Sequence, residues 1–168
     1  RALEAWRPTL DLLNRSARAQ ELPYRFTLNP HSIATMNAKI QSGQLDFMLT
    51  DPATFVAAEV ENGARPLLSM AQLWQGRTYD VSGALVFARA DSGLRNLQDL
   101  AGRDVMAVAA NDFGGWWLAE QEFRRRRLEP DNLLSDLIFS DGNEREVVYA
   151  VQSGLVDAGV IRAGVLEG

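Results

Sequence analysis

Four short stretches of this 168-residue chain put polar residues and glycines where a strand would hand over to a helix. They are Asn29-Pro30-His31-Ser32, Thr50-Asp51-Pro52, Asn111-Asp112-Phe113-Gly114-Gly115-Trp116 and Ser140-Asp141-Gly142-Asn143. A helix start presents backbone N–H groups without intrahelical partners and about half a positive charge from the aligned peptide dipoles. Several such starts aimed at one cleft can hold a small anion without any lysine. Ser32, Asp51 and Asn143 also read as ordinary helix caps. Gly114-Gly115 is different, because two glycines at a helix start cost stability unless backbone must approach something closely. The expected anion contacts are the Gly114 and Gly115 N–H groups, the Ser32 and Thr50 hydroxyls, Asn111 and Arg162. The Arg162 guanidinium can grip an oxyanion through two N–H groups; a hinge salt bridge is its alternative. His31, the single histidine, is a further candidate, with a surface or structural role as the alternative. Tyr79 and Trp116 would wall the cleft, with Trp74 and Arg77 nearby. Trp116 and Trp117 are adjacent and must point to different helix faces, so one of them can be core.

Catalytic constellations are missing. The sequence has no GxSxG, HExxH or P-loop motif, and no GxGxxG after its first expected strand. With one histidine and no cysteine, a histidine-based triad lacks an evident partner and thiol chemistry is excluded; no cofactor or metal is implied. A net charge of −5 argues against a nucleic-acid face. Of the 17 basic residues only Lys39 is lysine, a skew that fits a genome-wide codon bias better than a guanidinium function. The chain is 46% apolar and 23% charged, the balance of a globular domain. No segment approaches the roughly 18–20 apolar residues of a membrane span.

The junctions need elements to position them. Leu3, Trp6, Leu10, Leu13 and Ala17 recur at helical spacing, and residues 24–28 alternate like a strand. Ser32 opens a helix reaching Ser42, and Pro52 starts another that ends at Asn62-Gly63. Further strands are expected over 46–49, 81–88, 105–109 and 156–161, with 65–73 and 133–139 extended. Helices are expected over 113–127 and 143–153. This alternation implies mostly parallel sheets with crossover helices. One phrase occurs twice: Gln41-Ser42-Gly43-Gln44-Leu45-Asp46 and Gln152-Ser153-Gly154-Leu155-Val156-Asp157. Each copy follows an amphipathic stretch and precedes an apolar run, and its glycine suits a left-handed residue just past a helix end. Two such units suggest two α/β lobes, 1–77 and 78–160, with 161–168 returning toward the first. Chains of that kind work at the crevice between lobes. The chain begins inside one expected element and stops soon after another, as an excised fragment would.

Asp91-Ser92-Gly93-Leu94, followed by Leu97, Asp99-Leu100 and Gly102-Arg103, resembles the interlobe segment of type II periplasmic solute-binding proteins. Residues 43–46 with Asp51-Pro52, and residues 148–159 ending Val156-Asp157-Ala158-Gly159, are similar to the phosphonate-binding branch of that group. The resemblance covers essentially the whole chain. It implies an α/β fold of two lobes, each a mostly parallel sheet with crossover helices, joined by hinge strands and closing on a small solute outside the inner membrane. Phosphonate binders tend to carry hydroxyl residues where this chain has Asn111 to Gly115. They also tend to have Ser-His near Asn143-Glu144, where an inward Glu144 would repel an anion. Phe113-Gly114-Gly115-Trp116 with Leu49-Thr50-Asp51-Pro52 is more similar to periplasmic sensor domains of histidine kinases of the tetrathionate-sensor kind. The expectation is therefore the extracytoplasmic ligand-sensing domain of a two-component histidine kinase. It implies no enzyme in this segment, a small anionic solute as ligand, a membrane-anchored kinase in the same chain, and homodimerisation through the full-length protein. The alternative is the substrate-binding protein of an ABC transporter for phosphonate-like or other oxyanions.

Overall fold

Three of the α-helices open on a capping side chain in the computed structural model, which describes residues 2–74 and 76–166 but not the side chains of Ala2, Ile33, Ala34 and Trp74. The expected place of the Trp74 ring therefore lies outside the described residues. Helix α1 spans Ala2–Ala19, α2 Ile33–Gln41 and α3 Pro52–Asn62. Ser32 Oγ accepts the Thr35 N–H and Asp51 accepts those of Ala53 and Thr54, satisfying donors that the first helical turn leaves open. The doubled phrase ends its two helices in the same way. Gly43 and Gly154 adopt φ of 67° and 77°, a region glycine enters without steric cost. In the first copy the Gly43 N–H donates to Ile40 O and that of Gln44 to Lys39 O. In the second copy Gly154 donates to Val151 O and Leu155 to Ala150 O. These paired bonds satisfy carbonyls that a helix end would otherwise leave open.

Strands β1 (Gln72–Trp74) and β2 (Arg77–Tyr79) form an antiparallel pair. They are followed by β3 (Ala84–Ala88), a 3-10 turn over Leu97–Leu100, β4 (Asp104–Ala107) and a π-helical turn over Phe113–Trp117. Next come α4 (Leu118–Arg125), α5 (Pro130–Leu133), β5 (Asp136–Phe139), α6 (Glu144–Ser153) and β6 (Ala158–Arg162). Four strands join one sheet in the order β3-β6-β4-β5; β4 runs parallel to both β5 and β6, and β3 runs antiparallel to β6. This is the expected α/β arrangement with helical crossovers. The strand pleat sorts the core by a period of two. Val105, Ala107 and Val160 pack with Trp116, Ala119 and Phe123 on one face; Met106, Val108 and Ile161 pack with Val147, Ala150 and Val151 of α6 on the other. Fully burying a valine, isoleucine or phenylalanine contributes roughly 1.5–3 kcal/mol, so these two clusters hold the sheet. Asp157, which ends the second copy of the phrase, accepts the Asp104 N–H at 3.1 Å and pairs with Arg103 at 3.6 Å, holding the start of β4.

The chain divides into two compact units, Arg1–Leu49 and Thr50–Gly168. Within the first, residues 24–28 and 46–49 form no strand ladder among the described residues, a difference from the alternation that suggested strands. An extended segment becomes a strand only where a second backbone lies alongside it. The Asn14 side chain of α1 takes that part at Phe26: its Oδ1 accepts the Phe26 N–H at 2.9 Å. Its Nδ2 donates to Phe26 O at 3.1 Å and to Leu10 O at 3.0 Å. The Phe26 and Phe47 rings stand 6.2 Å apart in the same unit.

Candidate functional site

Because β5, β4 and β6 are parallel, their C-terminal ends share one edge of the sheet, the edge where open α/β sheets bind ligands. The loop after β4 is shaped by Asp112. Its Oδ1 accepts the Gly115 N–H at 2.6 Å, and its carbonyl accepts the N–H groups of Trp116 and Trp117. The last of these spans five residues and makes the turn π-helical, a wide turn often found at functional sites. The two glycines are needed for space. A Cβ on Gly115 would meet Val108 Cβ at 2.5 Å, and one on Gly114 would meet Arg162 Cγ at 3.0 Å and Cβ at 3.1 Å. Both glycines thus let the turn rest on the ends of β4 and β6, and they bring backbone beside the Arg162 stem.

The loop after β5 is tied to the same place. Ser140, buried, donates its hydroxyl to Asn143 O at 3.0 Å and Val108 O at 3.3 Å, while the Gly142 N–H donates to Val108 O at 3.0 Å. Asp141 sits at φ 51° and Gly142 at 94°, so this turn holds a non-glycine residue in the left-handed region at the sheet edge. Asn143 then caps α6 by accepting the Glu146 N–H. Glu144 follows, and its Oε2 lies 3.6 Å from Arg162 Nη2; the two side chains are 28% and 58% exposed.

The predicted residues distribute as follows. Arg162, Gly114 and Gly115 come together, with Asn111 exposed at the head of the same loop. The Gly115 N–H is occupied by Asp112, so within the pair Gly114 is the glycine that borders Arg162. Trp116 is only 5% exposed and packs in the core against Phe123 and Phe139, with ring centroids 6.3 and 6.0 Å away. Its neighbour Trp117 is 39% exposed and donates its indole N–H to Ala110 O at 2.8 Å. Thr50 is half-buried and donates to Asp51 Oδ2 at 3.4 Å; Tyr79 is half-buried at the end of β2. His31 and the exposed Ser32 belong to the Arg1–Leu49 unit. At Asp51, partial burial pushes the carboxyl upward. Hydrogen bonds from the Thr54 hydroxyl and from the Thr54 and Ala53 backbone outweigh that effect and hold it below its ordinary value. Sequence reasoning allowed Arg162 a salt bridge without naming Glu144 as its partner, and it did not anticipate the capping role of Asp112. The Asp112-x-x-Gly115 spacing is a side-chain cap signal that could have revealed the second.

A shallow groove of about 480 Å³ along α6, lined by Met106, Tyr149, Ala150 and Leu155 among others, is mainly apolar and includes none of these residues. Among the described residues no group of His, Asp and Glu is arranged to hold a metal, and no helix is long and apolar enough to cross a membrane.

The chain resembles known proteins along nearly its whole length. It is 28% identical over 164 residues to the tetrathionate sensor histidine kinase TtrS of Salmonella typhimurium, an alignment that takes in 96% of this chain and 27% of that protein. It superimposes on XAC2383 of Xanthomonas citri, solved bound to ATP, with a TM-score of 0.69 over 94% of this chain and 59% of that one. The same protein bound to chloride ion gives 0.70 over 94% and 58%. At 20% identity those two structures share the fold. The chain therefore spans about a quarter of the sensor kinase and under two thirds of the solved relative. All of residues 1–168 match the profile of the phosphonate ABC transporter periplasmic substrate-binding proteins. A periplasmic-binding-protein fold and a family match over residues 1–168 converge: this chain is a periplasmic solute-binding domain and belongs to the phosphonate-binding family of ABC transporter substrate-binding proteins.

Proposed function

We propose that this chain is the extracytoplasmic ligand-sensing domain of a two-component sensor histidine kinase, and that it binds a small anionic solute at the Arg162 edge of its sheet. The observation that carries the sensor reading is the alignment with a sensor kinase along 96% of the chain. The anionic character rests on Arg162 standing beside the Gly114 backbone at the ends of β4 and β6. In this reading Arg162 grips the oxyanion, Gly114 and Asn111 meet it from the loop after β4, and Gly115 and Trp116 keep that loop in place. Ser32, His31, Thr50 and Tyr79 are proposed contacts carried by other elements. Signalling requires the solute to bind one arrangement of the lobes, 1–77 and 78–160, more tightly than another. Moving a 1:99 ratio to 99:1 takes about 5.5 kcal/mol of differential affinity. The kinase, its membrane anchor and dimerisation through the full-length protein belong to the same proposal.

A melting screen with tetrathionate, methylphosphonate, sulfate and phosphate tests the solute. At least one of them should raise the Tm of the wild-type protein and leave that of Arg162→Ala unchanged; stabilisation retained in Arg162→Ala sinks the anion site. The reading frame beyond residue 168 tests the sensor assignment, since it should encode a membrane helix and a kinase domain. The family's transporter description favours a second reading, a substrate-binding protein delivering phosphonate-like oxyanions to a permease. A frame without a kinase domain would select it.

A further inference from the structure

The geometry points to Glu144 as the specificity-determining residue of the Arg162 site, a carboxylate of the protein itself that competes with the solute for the guanidinium. This rests on the anion-binding reading above and adds a residue to it. Glu144 Oε2 stands 3.6 Å from Arg162 Nη2, close enough for an ion pair and longer than the 2.7–2.9 Å of a tight charge-assisted hydrogen bond. Both side chains reach solvent, and exposed pairs of this kind are weak, so Glu144 can be displaced. It has somewhere to go: it is the first residue of α6, where the helix dipole favours a carboxylate in any outward rotamer.

An anion arriving at Arg162 must therefore take the guanidinium from Glu144 and then sit near a negative charge. A single-point anion such as chloride gives Arg162 no more than Glu144 already does. An anion with several oxygens can meet two N–H groups of the planar guanidinium at once and gain over the internal pair. Glu144 thus raises the threshold for binding and selects multi-oxygen anions over halides. Among the described residues no other carboxylate lies within ion-pair distance of Arg162.

The test is titration of wild type, Glu144→Gln, Arg162→Ala and the double variant with tetrathionate, methylphosphonate, sulfate and phosphate, followed by calorimetry at low and high salt. Glu144→Gln keeps the size and shape of the side chain, removes its charge and replaces one acceptor oxygen with an NH2 donor. It should bind whichever probe the wild type binds about tenfold more tightly at low salt, with the gain shrinking at high salt, as expected for removal of a partly exposed like charge. The double variant should lose that gain. Affinity in Glu144→Gln equal to or below that of the wild type, with binding still lost in Arg162→Ala, overturns the competitor role and leaves the anion site standing. Absence of binding of all four probes by both wild type and Glu144→Gln overturns the anion site itself. A melting temperature for Glu144→Gln near that of wild type without solute verifies that the comparison is between folded proteins.

Discussion

The backbone of Gly115 passes so close to Val108 that a Cβ on the glycine would lie 2.5 Å from the valine Cβ and 2.6 Å from its Cγ2. The π turn therefore rests directly on the end of β4. Gly115→Ala should cost about 1–3 kcal/mol through overpacking, seen as a lower urea midpoint with an unchanged slope. Gly114→Ala meets the Arg162 stem at 3.0–3.1 Å, a flexible neighbour that can give way. It should cost less stability but move the guanidinium, so its effect should fall on anion binding. Equal midpoints for wild type and Gly115→Ala would refute this account of the glycine pair.

Trp116 and Trp117 should respond very differently to truncation. Trp116→Ala empties a buried site lined by Phe123 and Phe139 and should cost about 3–5 kcal/mol. Trp117→Ala removes a part-exposed ring and one hydrogen bond to Ala110 O, worth about 0.5–1.5 kcal/mol. Chemical denaturation of both variants checks the order, and a larger loss for Trp117→Ala would reverse the core assignment.

Asn14 holds residues 24–28 through the Phe26 backbone, so Asn14→Ala leaves a donor and an acceptor without partners. The expected loss is about 1–3 kcal/mol if they stay shielded from water, with faster amide exchange at Phe26. Asn14→Asp keeps an acceptor for the Phe26 N–H but sets a carboxylate oxygen against the Phe26 and Leu10 carbonyls, so it should be no milder at neutral pH. Wild-type exchange at Phe26 in Asn14→Ala would show that the link does not stabilise this segment.

Asp51 makes stability depend on acid. Its carboxyl titrates below its ordinary value of 3.8 when folded, so the unfolded chain takes up the proton more readily. The stabilisation is fully present above the ordinary carboxylate pKa and is lost as pH falls through the lower folded value. Asp51→Asn can still cap α3 but carries no charge, so its stability should fall less steeply than that of wild type as the pH drops below the ordinary carboxylate value of 3.8. Parallel pH profiles would exclude Asp51 as a source of acid sensitivity.

What the sequence determined by itself was local. Ser32, Asp51 and Asn143 cap the helices they precede, and Gly63, Gly43 and Gly154 end helices in the left-handed region. Each of these depends on hydrogen bonds spanning two to five residues, so nearby residue types are enough to specify it. The α/β alternation was legible for the same reason, since hydrophobic period reports the face an element buries. Strands were legible only where a partner backbone exists: β4 and β6 form as expected, whereas 24–28 and 46–49 have the pattern without the ladder.

The tertiary structure alone decided which expected site residues meet. Gly114, from the loop after β4, touches Arg162 only because β4 and β6 are adjacent and parallel. Glu144 reaches Arg162 across 18 positions because α6 starts at the edge where β6 ends. Trp116 rather than Trp117 became core because the Asp112-capped π turn rotates it onto Phe123 and Phe139. None of these contacts has a sequence period or spacing. The doubled Gln-Ser-Gly phrase placed two helix ends correctly, but the chemistry at the sheet edge depends on distances that exist only once the sheet has assembled.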